Sequence, residues 1–165
     1  MAPAQWQQKL ATFIRRIPLL FAIAYYVYRF FQPKYTVGVV GIIINDRGQV
    51  LFVEHVFHPK KPWGIPGGWI GNNEEPAVAV AREIQEELQL DIEVQRLVLL
   101  RKTQRLHLDI AFLCEPIGEV GDLSYELLRY EWRHPNDAPP LHNFQRLAIE
   151  EAVRIYQEMQ SSASA

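Results

Sequence analysis

The spacing of apolar residues changes along this chain, and the changes mark its elements. Trp6, Leu10, Phe13, Ile14 and Ile17 recur at three- and four-residue steps opposite Gln5, Gln8, Thr12 and Arg16, which predicts an amphipathic helix opened by Pro3. Pro18 interrupts or restarts that helix, and residues 17–28 carry no charge before Arg29, Phe30 and Phe31. Twelve helical residues cover about 18 Å, short of the ~30 Å hydrocarbon core of a bilayer, so a clean transmembrane span is not expected. Three explanations stay open for residues 1–33. They are a helical hairpin packed on the main domain or on a second copy as a homodimer contact, a peripheral membrane anchor suggested by Lys9, Arg15, Arg16 and Arg29, and a signal peptide with Ala22-Ile23-Ala24 as its small-x-small site.

From Tyr35 the pattern becomes that of strands. Residues 36–44 are β-branched and nearly all apolar, Asn45-Asp46-Arg47-Gly48 makes a turn, and residues 50–57 resume the strand character, so a β-hairpin is expected. The segment from Trp63 to Trp69 is too rich in glycine for a helix interior, and Gly67-Gly68 reads as a tight turn. A helix follows through Leu88, with Pro76 in its first turn and Ala77, Val80, Ala81, Ile84 and Leu88 on its apolar stripe. Strands are expected over residues 92–100 and 106–114 with a polar turn over 101–105, and a short strand over 124–132. Asn143 caps a last helix that turns Phe144, Leu147, Ala148, Ala152, Ile155 and Tyr156 inward, and residues 161–165 form a disordered tail.

Composition narrows the class. A chain of 165 residues, 48% hydrophobic and 22% charged, is of the size and kind that forms one ordinary domain with its own core. Cys114 is the only cysteine, which excludes an intrachain disulfide and a cysteine zinc cluster and is consistent with a cytoplasmic location, with membrane association resting on residues 1–33. A net charge of −2 gives no general attraction to polyanions, which argues against a nucleic acid polymer as partner.

The candidate chemistry lies on the helix after the glycines. Glu83, Glu86 and Glu87 stand at i, i+3 and i+4, so their carboxylates project from one face. A bare cluster of this kind is usually a solvated helix face. Beside a glycine turn, where backbone can approach a ligand without a Cβ in the way, the same three carboxylates suit a hard divalent cation.

These residues belong to a longer pattern. Gly68, Glu74, Arg82-Glu83, Ile84, Glu86-Glu87 and Leu90 follow the spacing of the Nudix box, with Gln89 where that box has glycine, and the chain from Tyr35 to Gln160 resembles the Nudix hydrolase family. The resemblance implies an α/β/α sandwich with a mixed sheet over residues 34–160, beyond a helical extension over 1–33. It implies Mg²⁺ or Mn²⁺ held by Glu83, Glu86 and Glu87, with the Gly67 carbonyl as a further ligand and Gly68, Glu74 and Arg82 as structural support. The reaction implied is attack of a metal-activated water on a nucleoside diphosphate linked to another moiety. In many family members an acid lies six residues before a tryptophan, the spacing of Glu126 from Trp132, so Glu126 is the candidate base, or else an ordinary strand-edge acid.

Substrate contacts are less defined. The partner implied is a nucleotide-like small molecule, for which Trp63, Arg101 and Arg105 are candidate contacts; Lys60, Lys61 and Lys102 are further basic side chains, and Trp69 and Tyr125 further aromatic ones. His55, His58 and His107 have no metal-site spacing and read as structural or rim residues. Two other functions stand beside the hydrolase: a non-catalytic Nudix-fold module that binds or senses a nucleotide, and a membrane-tethered hydrolase of a lipid-linked diphosphate.

Overall fold

The computed structural model describes residues 4–163, so Pro3, expected to open the first helix, lies outside the described residues. The chain divides into two compact units, residues 1–34 and 35–165. The first contains α1 (Gln5–Arg16) and α2 (Pro18–Phe31), separated by Ile17, whose φ of −130° and ψ of 56° leave the helical region, and Pro18 takes the first helical position of α2. The two axes meet at 92°. An antiparallel helical hairpin therefore does not form, since such a hairpin needs a loop of about 2–5 residues and Ile17 alone joins the helices. No residue of α1 or α2 is buried. Among the described residues no single helix is long and apolar enough to cross a membrane.

The second unit is built on two sheets. One has the order β4-β1-β6-β5, from β1 (Thr36–Ile43), β4 (Gly67–Trp69), β5 (Asp91–Gln104) and β6 (His107–Ile117); the other has the order β3-β2-β7, from β2 (Val50–His55), β3 (Trp63–Gly64) and β7 (Leu127–Arg133). β1 runs parallel to β6, and the other ladders are antiparallel. Two-residue alternation along β1, β2 and β6 feeds two cores. Val39, Ile43, Leu51, Val53, Ile110 and Phe112 face α3 (Pro76–Leu88), whereas Ile42, Val50, Phe52, Ala111 and Leu113 face α4 (Asn143–Ala163). The fold is the mixed α/β arrangement expected, with helices on both sides.

Several local expectations are corrected. β1 and β2 are not a hairpin: each is central in a different sheet, and only the bridge Ile44–Val50 joins them. Both strands are apolar on both faces, which suits burial between neighbours more than a two-stranded ribbon. The turn itself forms as expected, with the Asn45 side-chain oxygen accepting from the Arg47 and Gln49 amides and Gly48 at a φ of 71°. Gly67 and Gly68 pair with Val40 and Val39 as part of β4, so they are strand and not turn.

Residues 101–104, expected in a turn, extend β5, and the reversal falls at Arg105 and Leu106. Glu126 precedes β7 in a turn and does not lie within a strand. Asn143 is the first helical residue, and its side chain accepts from Arg146, so it does not cap α4. Ile149 is buried where Leu147 is only half-buried. α4 also continues to Ala163 through the expected tail: no glycine or proline stops it, and the Ser161 and Ser162 hydroxyls donate to carbonyls one turn back. Residues 164–165 lie outside the described residues.

α3 ends as an unfavourable residue dictates. Gln89 adopts the left-handed conformation, φ 46° and ψ 36°, while its amide donates to the Gln85 carbonyl. For a residue with a Cβ that conformation costs about 1–2 kcal/mol. The side-chain compensation is one long hydrogen bond, from the Asp122 amide to Gln89 Oε1 at 3.4 Å. Gln89→Gly is therefore expected to raise unfolding stability by about 1 kcal/mol, seen in urea titration as a higher midpoint with an unchanged slope.

Candidate active site

The site is the meeting of α3 with β4, and it begins with missing side chains. A Cβ placed on Gly68 would lie 2.3 Å from the Glu83 carboxyl carbon, and one on Gly41 would lie 2.5 Å from Ile84 Cδ1. Gly67 sits at φ 150°, with its absent Cβ directed at the Val39 carbonyl 2.1 Å away. With nothing in between, the Gly67 amide donates to Glu87 Oε2 at 3.0 Å. Gly68 thus makes room for Glu83, and Gly67 binds Glu87.

Arg82 organises the opposite flank. Its Nε and Nη2 donate to the two oxygens of Glu74 at 2.8 and 3.0 Å, Nη1 donates to Glu83 Oε1 at 2.9 Å and Glu86 Oε2 at 3.3 Å, and Nη2 also donates to the Trp69 carbonyl at 3.0 Å. The Gly71 amide donates to Glu74 Oε2 at 2.7 Å, closing the loop before the helix. Bonding to the guanidinium, and then to Gly71, holds the Glu74 carboxyl down at about 2, and the bonds to Glu74 and then Glu83 raise Arg82 further above its ordinary value. One planar fork thereby ties the loop, β4 and two acids of α3 together.

Glu87 is the opposite case. It is the one buried charged residue among those described, 7% exposed, and its pKa is pushed up to about 8. Burial is the largest cause; the Gly67 amide opposes it, and the charges of Glu83, Glu126 and Glu86 add to it. The turn carrying Glu126 is fastened to the end of α3, with the Ser124 amide donating to the Glu87 carbonyl and the Gly121 amide to the Leu88 carbonyl, both at 2.9 Å. Glu126 also acts on His55, whose pKa falls to about 4, first through burial and then through His58, with Glu126 opposing. His55 was expected to be a structural or rim residue; its link to Glu126 depends on β2 meeting the turn before β7, which no sequence spacing reveals.

On the α4 side of the sheet lies a cavity of about 610 Å³ lined by Val40, Arg101, Lys102, His58, His107 and His142, among others. Val40 faces Gly67 across the β1–β4 ladder. Of the expected substrate contacts, Arg101 reaches this cavity, and Arg105 sits at the tip of the β5–β6 reversal. Trp63 does not line it, and its ring is approached by the guanidinium groups of Arg129 and Arg133 at 5.1 and 4.9 Å. Lys61 donates to the Leu141 carbonyl at 3.2 Å. Trp69 is 61% exposed with its ring 5.0 Å from that of His107, so it stays available at the rim.

The Nudix domain family matches residues 34–152. The chain belongs to the Nudix family. A MutT-like protein of Streptomyces ambofaciens is 29% identical over 124 residues, spanning 74% of this chain and 76% of its own length. Among solved structures, a MutT Nudix hydrolase from Burkholderia pseudomallei is 27% identical, with a TM-score of 0.64 over 72% of this chain and 98% of that one. An ADP-ribose pyrophosphatase from Streptococcus suis is 22% identical, with a TM-score of 0.63 over 76% and 93% of the two chains, which shows a shared fold. The chain is accordingly a Nudix pyrophosphohydrolase, and Gly68–Leu90, which carries the acids described above, is its Nudix box.

The raised pKa of Glu87 has a measurable consequence in metal-free buffer. A carboxyl that is protonated up to about pH 8 in the folded protein, but only to about 4.5 when unfolded, favours folding below pH 4.5, and that contribution is lost as pH rises to about 8. With chelator present, Glu87→Gln is expected to remove this loss. Its stability relative to the parent chain should grow between pH 5 and 8 by on the order of 4 kcal/mol, read from urea unfolding at each pH. Parallel pH curves for the two proteins would contradict it.

Proposed function

We propose that this Nudix hydrolase cleaves the pyrophosphate bond of a nucleoside diphosphate linked to another moiety, with Mg²⁺ or Mn²⁺ held by Glu83, Glu86 and Glu87. The observation that carries the reading is the buried Glu87 carboxyl, bonded to the Gly67 amide and within electrostatic reach of Glu83, Glu86 and Glu126, while Arg82 bonds to Glu83 and Glu86. The donor set fits a hard divalent ion, being all oxygen, and Arg82 engages one oxygen each of Glu83 and Glu86. Among the described residues no three such side chains already converge as a metal cage, because Glu83 and Glu86 are turned to the guanidinium. The Gly67 carbonyl would serve as a further ligand, while its amide donates to Glu87 Oε2.

When bound, the ion would lower the pKa of the attacking water and offset the charge of the diphosphate. The protein's own groups then divide the remaining work. Glu126, placed by the turn bonded to α3, takes the proton from the attacking water. Arg82 and Glu74 keep the acids in position and touch no substrate. Arg101 and Lys102 in the cavity on the α4 side of the sheet meet the anionic part of the substrate, and the exposed Trp69 ring offers a stacking surface. The activity named for the Streptococcus suis structure supports ADP-ribose as the first member of the substrate class to assay.

The test is a panel of nucleoside diphosphate derivatives, ADP-ribose included, assayed with Mg²⁺ and Mn²⁺ and with chelator. Turnover should vanish on chelation, and Glu86→Gln should lower kcat by at least about a hundredfold. Glu126→Gln should lower kcat by about 10²–10⁴ with KM little altered, whereas Arg101→Ala should raise KM about tenfold with kcat retained. Unchanged turnover in Glu126→Gln would remove it as the base; no metal-dependent release from any compound would favour nucleotide binding without turnover.

A further inference from the structure

We propose that the α1–α2 unit docks the chain on an anionic lipid surface. The first observation is how charge is divided. Residues 1–34 contain five basic side chains, Lys9, Arg15, Arg16, Arg29 and Lys34, and no acid; the whole-chain balance of 17 basic against 19 acidic leaves 12 against 19 in residues 35–165. A nearly neutral chain is therefore strongly bipolar, and its basic end is also its most aromatic.

The second observation is the surface of the two helices. On α1, Trp6, Leu10 and Phe13 share one face and are 64, 47 and 58% exposed, with Gln8 and Arg15 opposite. α2 is apolar all round up to Arg29, yet none of it is buried. A helix of that composition in a water-soluble unit normally lies inside a core. Its Tyr25, Tyr26 and Tyr28 carry a polar hydroxyl on an aromatic body, the side-chain type that collects where a bilayer meets water.

Charge and geometry select the occupant. A second copy of the unit would bring another five positive charges with no acid to meet them, whereas anionic headgroups answer both the charge and the aromatic surface. Docking in the plane of the interface also fits better than crossing. α2 is about 21 Å long against a hydrocarbon core of ~30 Å. A broken span through the 92° bend would carry Arg15 and Arg16, which end α1, into the hydrocarbon. In the interface those two side chains reach the headgroups. This inference does not rest on the hydrolytic reading of the second unit.

The experiment is flotation of the full chain with vesicles of pure phosphatidylcholine and of equimolar phosphatidylcholine and phosphatidylglycerol. Binding is expected to the anionic vesicles, to weaken with salt, and to fall about fivefold for each basic residue replaced in Arg15→Gln and Arg16→Gln. A blue shift of tryptophan emission on vesicle addition should disappear in Trp6→Phe, while helical content and hydrolysis of a soluble substrate stay unchanged in every variant. No flotation with anionic vesicles at low salt would overturn the proposal. Equal flotation with both vesicle types, or a stable dimer abolished by Trp6→Ala, would overturn it in favour of purely apolar adsorption or self-association.

Discussion

The structure depends on close approaches that glycine permits between α3, β1 and β4. Gly41 and Gly68 leave room for the Ile84 and Glu83 side chains of α3, and Gly67 lies so close to the β1 backbone at Val39 and Val40 that a Cβ there has no space. The approach buries Val80, Ile84 and Leu88 against the sheet and, on the adjoining part of the same helix, brings Glu83 and Glu87 onto the glycine strand. Core packing and site assembly are thus one event. Widening the gap by a single methyl at Gly68 would displace a carboxylate before it disturbed the core.

Two kinds of electrostatic environment result within a few residues. Glu74 is held ionised by a bidentate arginine and a backbone amide, so it behaves as a fixed brace. Glu87 has one amide and three like-charged neighbours in a buried position, and is left short of positive charge. The same residue type is held ionised in one place and pushed toward its protonated form in the other, because burial and partners differ.

The elements were legible in the sequence where a local rule governs them. Pro76 and the apolar stripe located α3, and the i, i+3, i+4 spacing placed three glutamates on one face; Pro18 located the break between α1 and α2. The box spacing pointed to the family and to an arginine–glutamate brace, both present. Strand partners were less legible. β1 and β2 are apolar on both faces, and such strands carry no mark of which neighbour each will take, so a local hairpin was expected where two sheets formed. Residues 101–104 look like turn by polarity, but pairing with β6 makes them strand and turns Arg101 into a cavity wall.

What the sequence determined alone was therefore the helices, their breaks and the identity of the chemical groups, because helix periodicity and proline act over a few residues, whereas the strand or turn state of Gly67-Gly68 and of residues 101–104 depended on pairing. Gln89 illustrates its reach: the missing box glycine was visible as an anomaly, and the left-handed residue is there. Tertiary structure decided which groups act on one another. It placed Glu126 within electrostatic reach of both His55 and the buried Glu87, and set Trp63 beneath Arg129 and Arg133 and outside the cavity. Burial and charge proximity are properties of chain segments far apart in sequence, and they exist only once the sheets have paired.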